Sequence, residues 1–123
     1  MRLAIRETPF TPSVKISEEE QRIIITGPSR LEDPSPFYEN LIVLLEETII
    51  NFKSRFSIDF KLNYLNSSSS KWLFHILKNI QNRYGSSRTM SVNWYYDMDD
   101  ENMLEAGEVF SNLLSVPFKI IEA

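Results

Sequence analysis

Apolar and polar residues alternate with a period of two in two places along the chain. Phe56, Ile58, Phe60, Leu62 and Tyr64 are separated by Ser57, Asp59, Lys61 and Asn63. Met90, Val92, Trp94 and Tyr96 are separated by Ser91, Asn93 and Tyr95. Successive side chains of a strand point to opposite faces, so each run predicts a strand with one apolar and one mostly polar face. A central strand covered by helices on both sides would be apolar on both faces. These runs therefore predict a sheet with helices on one side only. Val14-Lys15-Ile16 and Arg22 to Thr26 are also β-rich and flank an acidic stretch, Ser17 to Gln21, which predicts a hairpin. Gly27-Pro28 is expected to end its second strand. Residues 1–12, with Pro9 and Pro12, read either as an extended arm or as a first short edge strand.

Between the strands the apolar spacing changes to three and four. Phe37, Leu41, Leu44, Leu45, Thr48, Ile49 and Phe52 make one face of a helix over about 37–52. Asp33 or Ser35 can cap it, each followed by a proline. Leu73, Ile76, Leu77, Ile80 and Tyr84 mark a second helix over about 69–84, and Gly85 stands where a left-handed terminating residue belongs. Met103, Phe110, Leu113 and Leu114 mark a third helix after Asp97 to Asp100, and Pro117 to Ile121 close as a short strand. The order β-β-α-β-α-β-α-β predicts an α/β fold. With right-handed crossovers it becomes a two-layer sandwich, a mixed β-sheet with helices on one face, in a single domain over residues 1–123.

Composition narrows the function classes. Hydrophobic residues at 42% supply a core, and the net charge of -4 with scattered Lys and Arg leaves no basic footprint for nucleic acid. The absence of cysteine removes disulfides, thiolate metal sites and cysteine nucleophiles. No apolar run approaches the ~18 residues of a membrane span, and Met1 to Phe10 lack the apolar stretch of a secretory signal. The expectation is a cytoplasmic protein that binds neither membrane nor nucleic acid.

The unusual segment is Asn66-Ser67-Ser68-Ser69-Ser70, which links a well-patterned strand to a well-patterned helix. One reading is structural: one serine caps the helix and the others are tolerated in an exposed turn. The other uses the same geometry. A helix N-terminus presents unpaired N–H groups and partial positive charge, a suitable place for phosphate. A phosphoserine there would add about -1.5 to -2 charges, and Lys71 could pair with it.

Catalytic and metal constellations fare worse. Asp97, Asp99, Glu101, Glu105 and Glu108 match calcium-loop spacing, but Asn102 stands where the sharp turn needs glycine, so helix capping is the better account. Ser68-Ser69-Ser70-Lys71 has the Ser-x-x-Lys spacing of some serine enzymes without their partner motifs. His75 has no orienting partner, and the chain is read as having no catalytic residue, no metal site and no cofactor. Asn66-Ser67-Ser68 is formally a glycosylation sequon, without meaning in an unsecreted chain. Trp94 and Tyr96 fall on the apolar strand face; Tyr95 falls on the polar face and, with Asp59, Lys61 and Asn63, forms a candidate docking surface.

The stretch Leu62-Asn63-Tyr64-Leu65-Asn66-Ser67-Ser68-Ser69-Ser70-Lys71 resembles the signature of the SiaC family of bacterial regulatory phosphoproteins. Val92-Asn93-Trp94-Tyr95-Tyr96-Asp97, Glu105-Ala106-Gly107-Glu108, Pro117-Phe118-Lys119 and the Thr8-Pro9 and Thr11-Pro12 region are similar to further blocks of that family. The resemblance implies a STAS-like fold without catalysis. It also implies phosphorylation by a cognate kinase and reversal by a PP2C-like phosphatase. This switch would control binding to an effector such as a diguanylate cyclase in cyclic-di-GMP signalling. The family's phospho-acceptor threonine corresponds to Ser67, with Ser68 as its neighbour; Asn66, Ser69, Ser70 and Lys71 form the surroundings. The sequence departs from the family where Leu31-Glu32-Asp33-Pro34 replaces a Tyr-Pro-Glu-Asn segment. The competing readings are a STAS-like anti-sigma-factor antagonist in a partner-switching pathway and, from another class, a small metal- or ligand-binding domain using the acidic segment Asp97–Glu101.

Overall fold

The alternating runs become neighbouring strands of one six-stranded sheet. The computed structural model describes residues 1–53, 55–84 and 89–123. Along the chain lie β1 (Arg2–Ile5), β2 (Ser13–Ser17), β3 (Arg22–Ser29), α1 (Ser35–Ile49), β4 (Arg55–Leu65), α2 (Ser67–Tyr84), β5 (Thr89–Tyr96), α3 (Glu101–Leu113) and β6 (Phe118–Glu122). Residues 2–5 thus form the first edge strand rather than a free arm. Gly85, expected to terminate the second helix, lies outside the described residues.

Spatial order follows chain order, β1-β2-β3-β4-β5-β6. The first three strands pair antiparallel and the last three junctions are parallel. Each parallel junction needs a crossover, and crossovers of one hand that always step in the same direction deliver α1, α2 and α3 to the same face. The register builds that face as continuous apolar rows. Ile16, Ile23, Ile58, Val92 and Phe118 lie side by side across five strands, and Val14, Ile25, Phe60, Trp94 and Ile120 form the next row. Most of these residues are buried against Leu41, Leu45 and Ile49 of α1, Leu73 and Leu77 of α2, and Met103 and Phe110 of α3. Each fully buried aliphatic side chain contributes roughly 1.5–3 kcal/mol.

Trp94 sits at the centre of the packing between the sheet and α3. Its ring centroid is 5.3 Å from Phe60 and 5.2 Å from Phe110, and its Nε1 donates to the Met103 carbonyl at 2.9 Å. A Cβ added at Gly107 would lie 2.5 Å from Trp94 Cδ1, so glycine is what lets α3 approach the indole. The buried stripe of this helix region is Met103, Gly107, Phe110 and Leu114, whereas Leu113, expected in the stripe, is 54% exposed.

Three other expectations change. β3 runs through Gly27-Pro28 to Ser29, with Gly27 at φ 117 and a register shift between Gly27 and Pro28. Opposite that shift, β4 carries an extra residue between Leu62 and Tyr64. The bulge breaks the alternation, and Tyr64, expected on the apolar face, is 46% exposed beneath the Arg30 guanidinium. In α1, Tyr38 is buried and Phe37 only half-buried; Pro34 occupies the N-cap with no side-chain bond, while Asp33 Oδ1 accepts from the Ser35 amide at 3.2 Å.

Candidate functional site: the turn into the second helix

Asn66 leaves β4 and caps α2. Its backbone carbonyl accepts from the Ser70 amide and its Oδ1 accepts from the Ser69 amide, both at 2.9 Å. Its Nδ2 donates to the Leu31 carbonyl at 2.9 Å and its backbone N–H donates to the Ser29 carbonyl at 3.1 Å. One residue therefore starts the helix and ties that start to the segment leaving β3. A serine was expected as the cap. Asn66 takes the role because α2 begins at Ser67, earlier than the apolar stripe implied.

The four serines divide sharply. Ser67 and Ser68, the first residues of α2, are exposed, Ser70 is half-buried, and Ser69 is fully buried. Ser69 Oγ accepts from Ser29 Oγ at 2.7 Å, and Ser29 Oγ is 2.7 Å from the Tyr38 hydroxyl. Burial pushes the Tyr38 phenol pKa up, partly opposed by its hydrogen bonds to Ser29 and Ser69. This hydroxyl cluster fastens α2 to β3 and α1, and the Tyr38 ring stacks on Trp72 at 6.1 Å. Ser69 is thus a structural residue.

Helical spacing separates the two exposed serines. Ser67 and Lys71 stand four residues apart, on one face, and both are exposed. Ser68 shares its face with Trp72, which is half-buried against the core. A phosphate on Ser67 would have an ammonium group within the same face and the first N–H groups of the helix beside it.

On the face opposite the helices, Lys61, Asn63 and Tyr95 come together. With Leu62, Tyr96, Asp97 and Ala123 they line a cavity of 280 Å³, and Lys61 Nζ lies 5.0 Å over the Tyr95 ring. Asp59 does not join them. It is 2% exposed, accepts from Asn93 Nδ2 at 2.8 Å and faces Arg22 Nε at 3.7 Å.

The acidic segment before α3 works as a cap. Asp100 Oδ1 accepts from the Met103 amide at 3.0 Å, and Glu101 occupies the first turn, where its charge complements the helix dipole. Among the described residues, no group of three or more His, Cys, Asp or Glu is placed to hold a metal ion. His75 is exposed, its ring edge against Phe74. No helix among the described residues is long and apolar enough to cross a membrane.

Sequence reasoning missed Ser29 and Tyr38, which hold Ser69, and the Leu31 carbonyl that receives Asn66. No local pattern marks these partners.

The geometry can be set beside known proteins. The model of the SiaC family of regulatory phosphoproteins matches residues 5–123. An uncharacterised protein of Pseudomonas aeruginosa strain UCBPP-PA14 is 29% identical over 118 residues, which span 96% of this chain and 94% of that protein. The structure of SiaC of Pseudomonas aeruginosa superposes with a TM-score of 0.85 at 27% identity, covering 100% of both chains. A chain in the crystal structure of diguanylate cyclase SiaD in complex with its activator SiaC, from the same species, matches with a TM-score of 0.83 at 27% identity; 95% of this chain and 96% of that one are covered.

Proposed function

We propose that this chain, which belongs to the SiaC family of regulatory phosphoproteins, is a non-catalytic cytoplasmic binding domain over residues 1–123 whose engagement of an effector is switched by phosphorylation of Ser67. The effector is a diguanylate cyclase in cyclic-di-GMP signalling, as suggested by the structure of SiaD with its activator SiaC. Unphosphorylated protein binds the effector. A cognate kinase adds the phosphate and a PP2C-like phosphatase removes it.

The observation that carries this reading is the division of the serines at the start of α2. Ser67 is exposed at a helix N-terminus, above a turn that Asn66 and the buried Ser69 hold rigid. A phosphate there gains from the helix end and from Lys71 while leaving the buried hydroxyl cluster intact. The result is a change of about -1.5 to -2 charges on an otherwise unchanged surface. Such a change repels an acidic partner surface or blocks a docked one. Ser68 is the second candidate, since its hydroxyl is also exposed.

Peptide mapping of protein from its native cells, combined with cyclase binding by Ser67→Asp, tests the switch. Phosphate on Ser67 or Ser68 and weakened binding by the variant are expected. Persistent absence of phosphate from 67–70 across growth conditions, or a variant that binds the cyclase as the wild type does, would overturn it.

A further inference from the structure

The open face of the sheet carries a second feature, at the end opposite the phosphorylation turn. β4 enters at Arg55 and leaves at Leu65, so the two ends are separated by about 30 Å of strand. At the entering end, a groove of 460 Å³ is lined by Arg22, Arg55, Ser57, Thr89, Ser91, Asn93, Pro117 and Lys119.

The register explains why a groove forms there. Arg22, Ser57 and Ser91 lie side by side on β3, β4 and β5, with Pro117 just before β6. Arg55 pairs with Thr89 on one side of this row, and Asn93 pairs with Lys119 on the other. Ser57 and Ser91 are adjacent small residues in strands that normally favour larger side chains on an exposed face. They leave a floor of hydroxyls, and the long side chains of Arg22, Arg55 and Lys119 stand around it. With strands about 4.8 Å apart, the floor and rims extend about 14 Å across.

The charge is unexpected for this chain. Its net charge is -4, yet every charged side chain lining the groove is a cation. Arg22 is partly neutralised, with Glu20 and Asp59 oxygens each at 3.7 Å. Among the described residues, no ion pair engages Arg55 or Lys119, and both are exposed. Two cations with no carboxylate partner and the hydroxyls of Ser57 and Ser91 at the floor make a set suited to phosphate oxygens, while Asn93 and Arg22 are engaged by the Asp59 carboxylate beside the floor. The volume falls in the range of small-molecule sites.

We infer that this groove binds a phosphate-bearing small molecule, its phosphate held by Arg55, Lys119 and the Ser57 and Ser91 hydroxyls. Guanidinium groups engage phosphate through two parallel N–H bonds, so Arg55 supplies direction and Lys119 a mobile charge. Nucleotides and sugar phosphates share that chemistry. They differ in the remainder of the molecule, which would lie toward Thr89 and Arg22. This inference does not rest on the Ser67 switch, because none of the groove residues belongs to that turn.

The test is an amide-resolved NMR titration of the full chain at fixed ionic strength. The probes are pyrophosphate, adenosine diphosphate and glucose 6-phosphate, with chloride and sulfate as controls. Expected are saturable shifts centred on Ser57, Ser91, Asn93 and Lys119 for at least one phosphate probe, with the adenosine and glucose compounds distinguishing the two sources. The double variant Arg55→Gln/Lys119→Gln should weaken that binding about tenfold or more, as loss of two charge-assisted contacts requires. Both side chains are exposed, so an unchanged amide spectrum elsewhere verifies the fold. Ser67→Ala should bind each probe as the wild type does. Shifts no larger than those with sulfate, shifts centred on the start of α2, or a double variant that binds unchanged would each refute the inference.

Discussion

Replacing Asn66 isolates what holds the turn into α2. In Asn66→Ala the Ser69 amide loses its acceptor, and removal of a cap of this type costs about 1 kcal/mol. The Leu31 carbonyl also loses its donor, worth about 1 kcal/mol in a part-buried setting. Together the loss is about 2 kcal/mol. For a domain of this size that lowers Tm by about 8 °C, taking about 4 °C per kcal/mol. Asn66→Asp separates the two contributions. It keeps an oxygen facing the Ser69 amide and adds a negative charge at a helix N-terminus, worth about 0.3–1 kcal/mol, but it cannot donate to Leu31. Its net loss should be at most about 0.7 kcal/mol, against about 2 kcal/mol for the alanine variant, because the charge at the helix end offsets much of the lost Leu31 bond. Urea unfolding gives both numbers, and hydrogen exchange at the Ser69 and Ser70 amides reports the turn directly. Exchange there should accelerate in the alanine variant and remain near wild type in the aspartate variant. Equal destabilisation by both substitutions would show that the cap bond is not what secures the helix start, and the account of a rigid platform beneath Ser67 would fail.

Other outcomes follow from the packing. Gly107→Ala should lose about 1–3 kcal/mol in urea unfolding, because the new methyl meets a fully buried indole that is itself hydrogen-bonded; a gain in stability from better helix propensity would contradict the close approach. Tyr38 has a folded-state pKa above its ordinary value near 10, so the folded state keeps its proton while the unfolded chain releases it. Its contribution is therefore complete below pH ~10 and falls as pH rises beyond that value. Tyr38→Phe should be about 1 kcal/mol less stable at pH 7 for the lost Ser29 bond, and the gap should narrow above pH 10; parallel pH profiles would refute the buried phenol. Tyr95→Ala should weaken effector binding about tenfold if the cavity shared with Lys61 and Asn63 is a docking surface, with unchanged binding ruling it out.

The proposed phosphorylation turn and the proposed phosphate groove lie at opposite ends of one sheet for physical reasons. Where β4 ends, the parallel topology presents the N-terminus of α2 and its unpaired amides. Where β3, β4 and β5 begin, no helix among the described residues covers the polar face, and small residues in register leave room between long cations.

Much of the architecture was legible in the chain because periodicity is a local property. Alternation at 56–64 and 90–96 reports a sheet with one buried face, and spacings of three and four report helices that cover it. The sequence also marked Asn66 to Ser70 as the segment that fits neither pattern. Tertiary structure alone decided which residues of that segment are buried and what they bond. The buried Ser69 is bonded to a hydroxyl that stands 40 positions earlier, and the capping Asn66 is held by the Leu31 carbonyl in the segment leaving the neighbouring strand β3. Tyr64 left its predicted face because a bulge depends on the partner strand. Contacts between distant segments carry no period, so which of four chemically identical serines is buried was decided only when the chain closed around them.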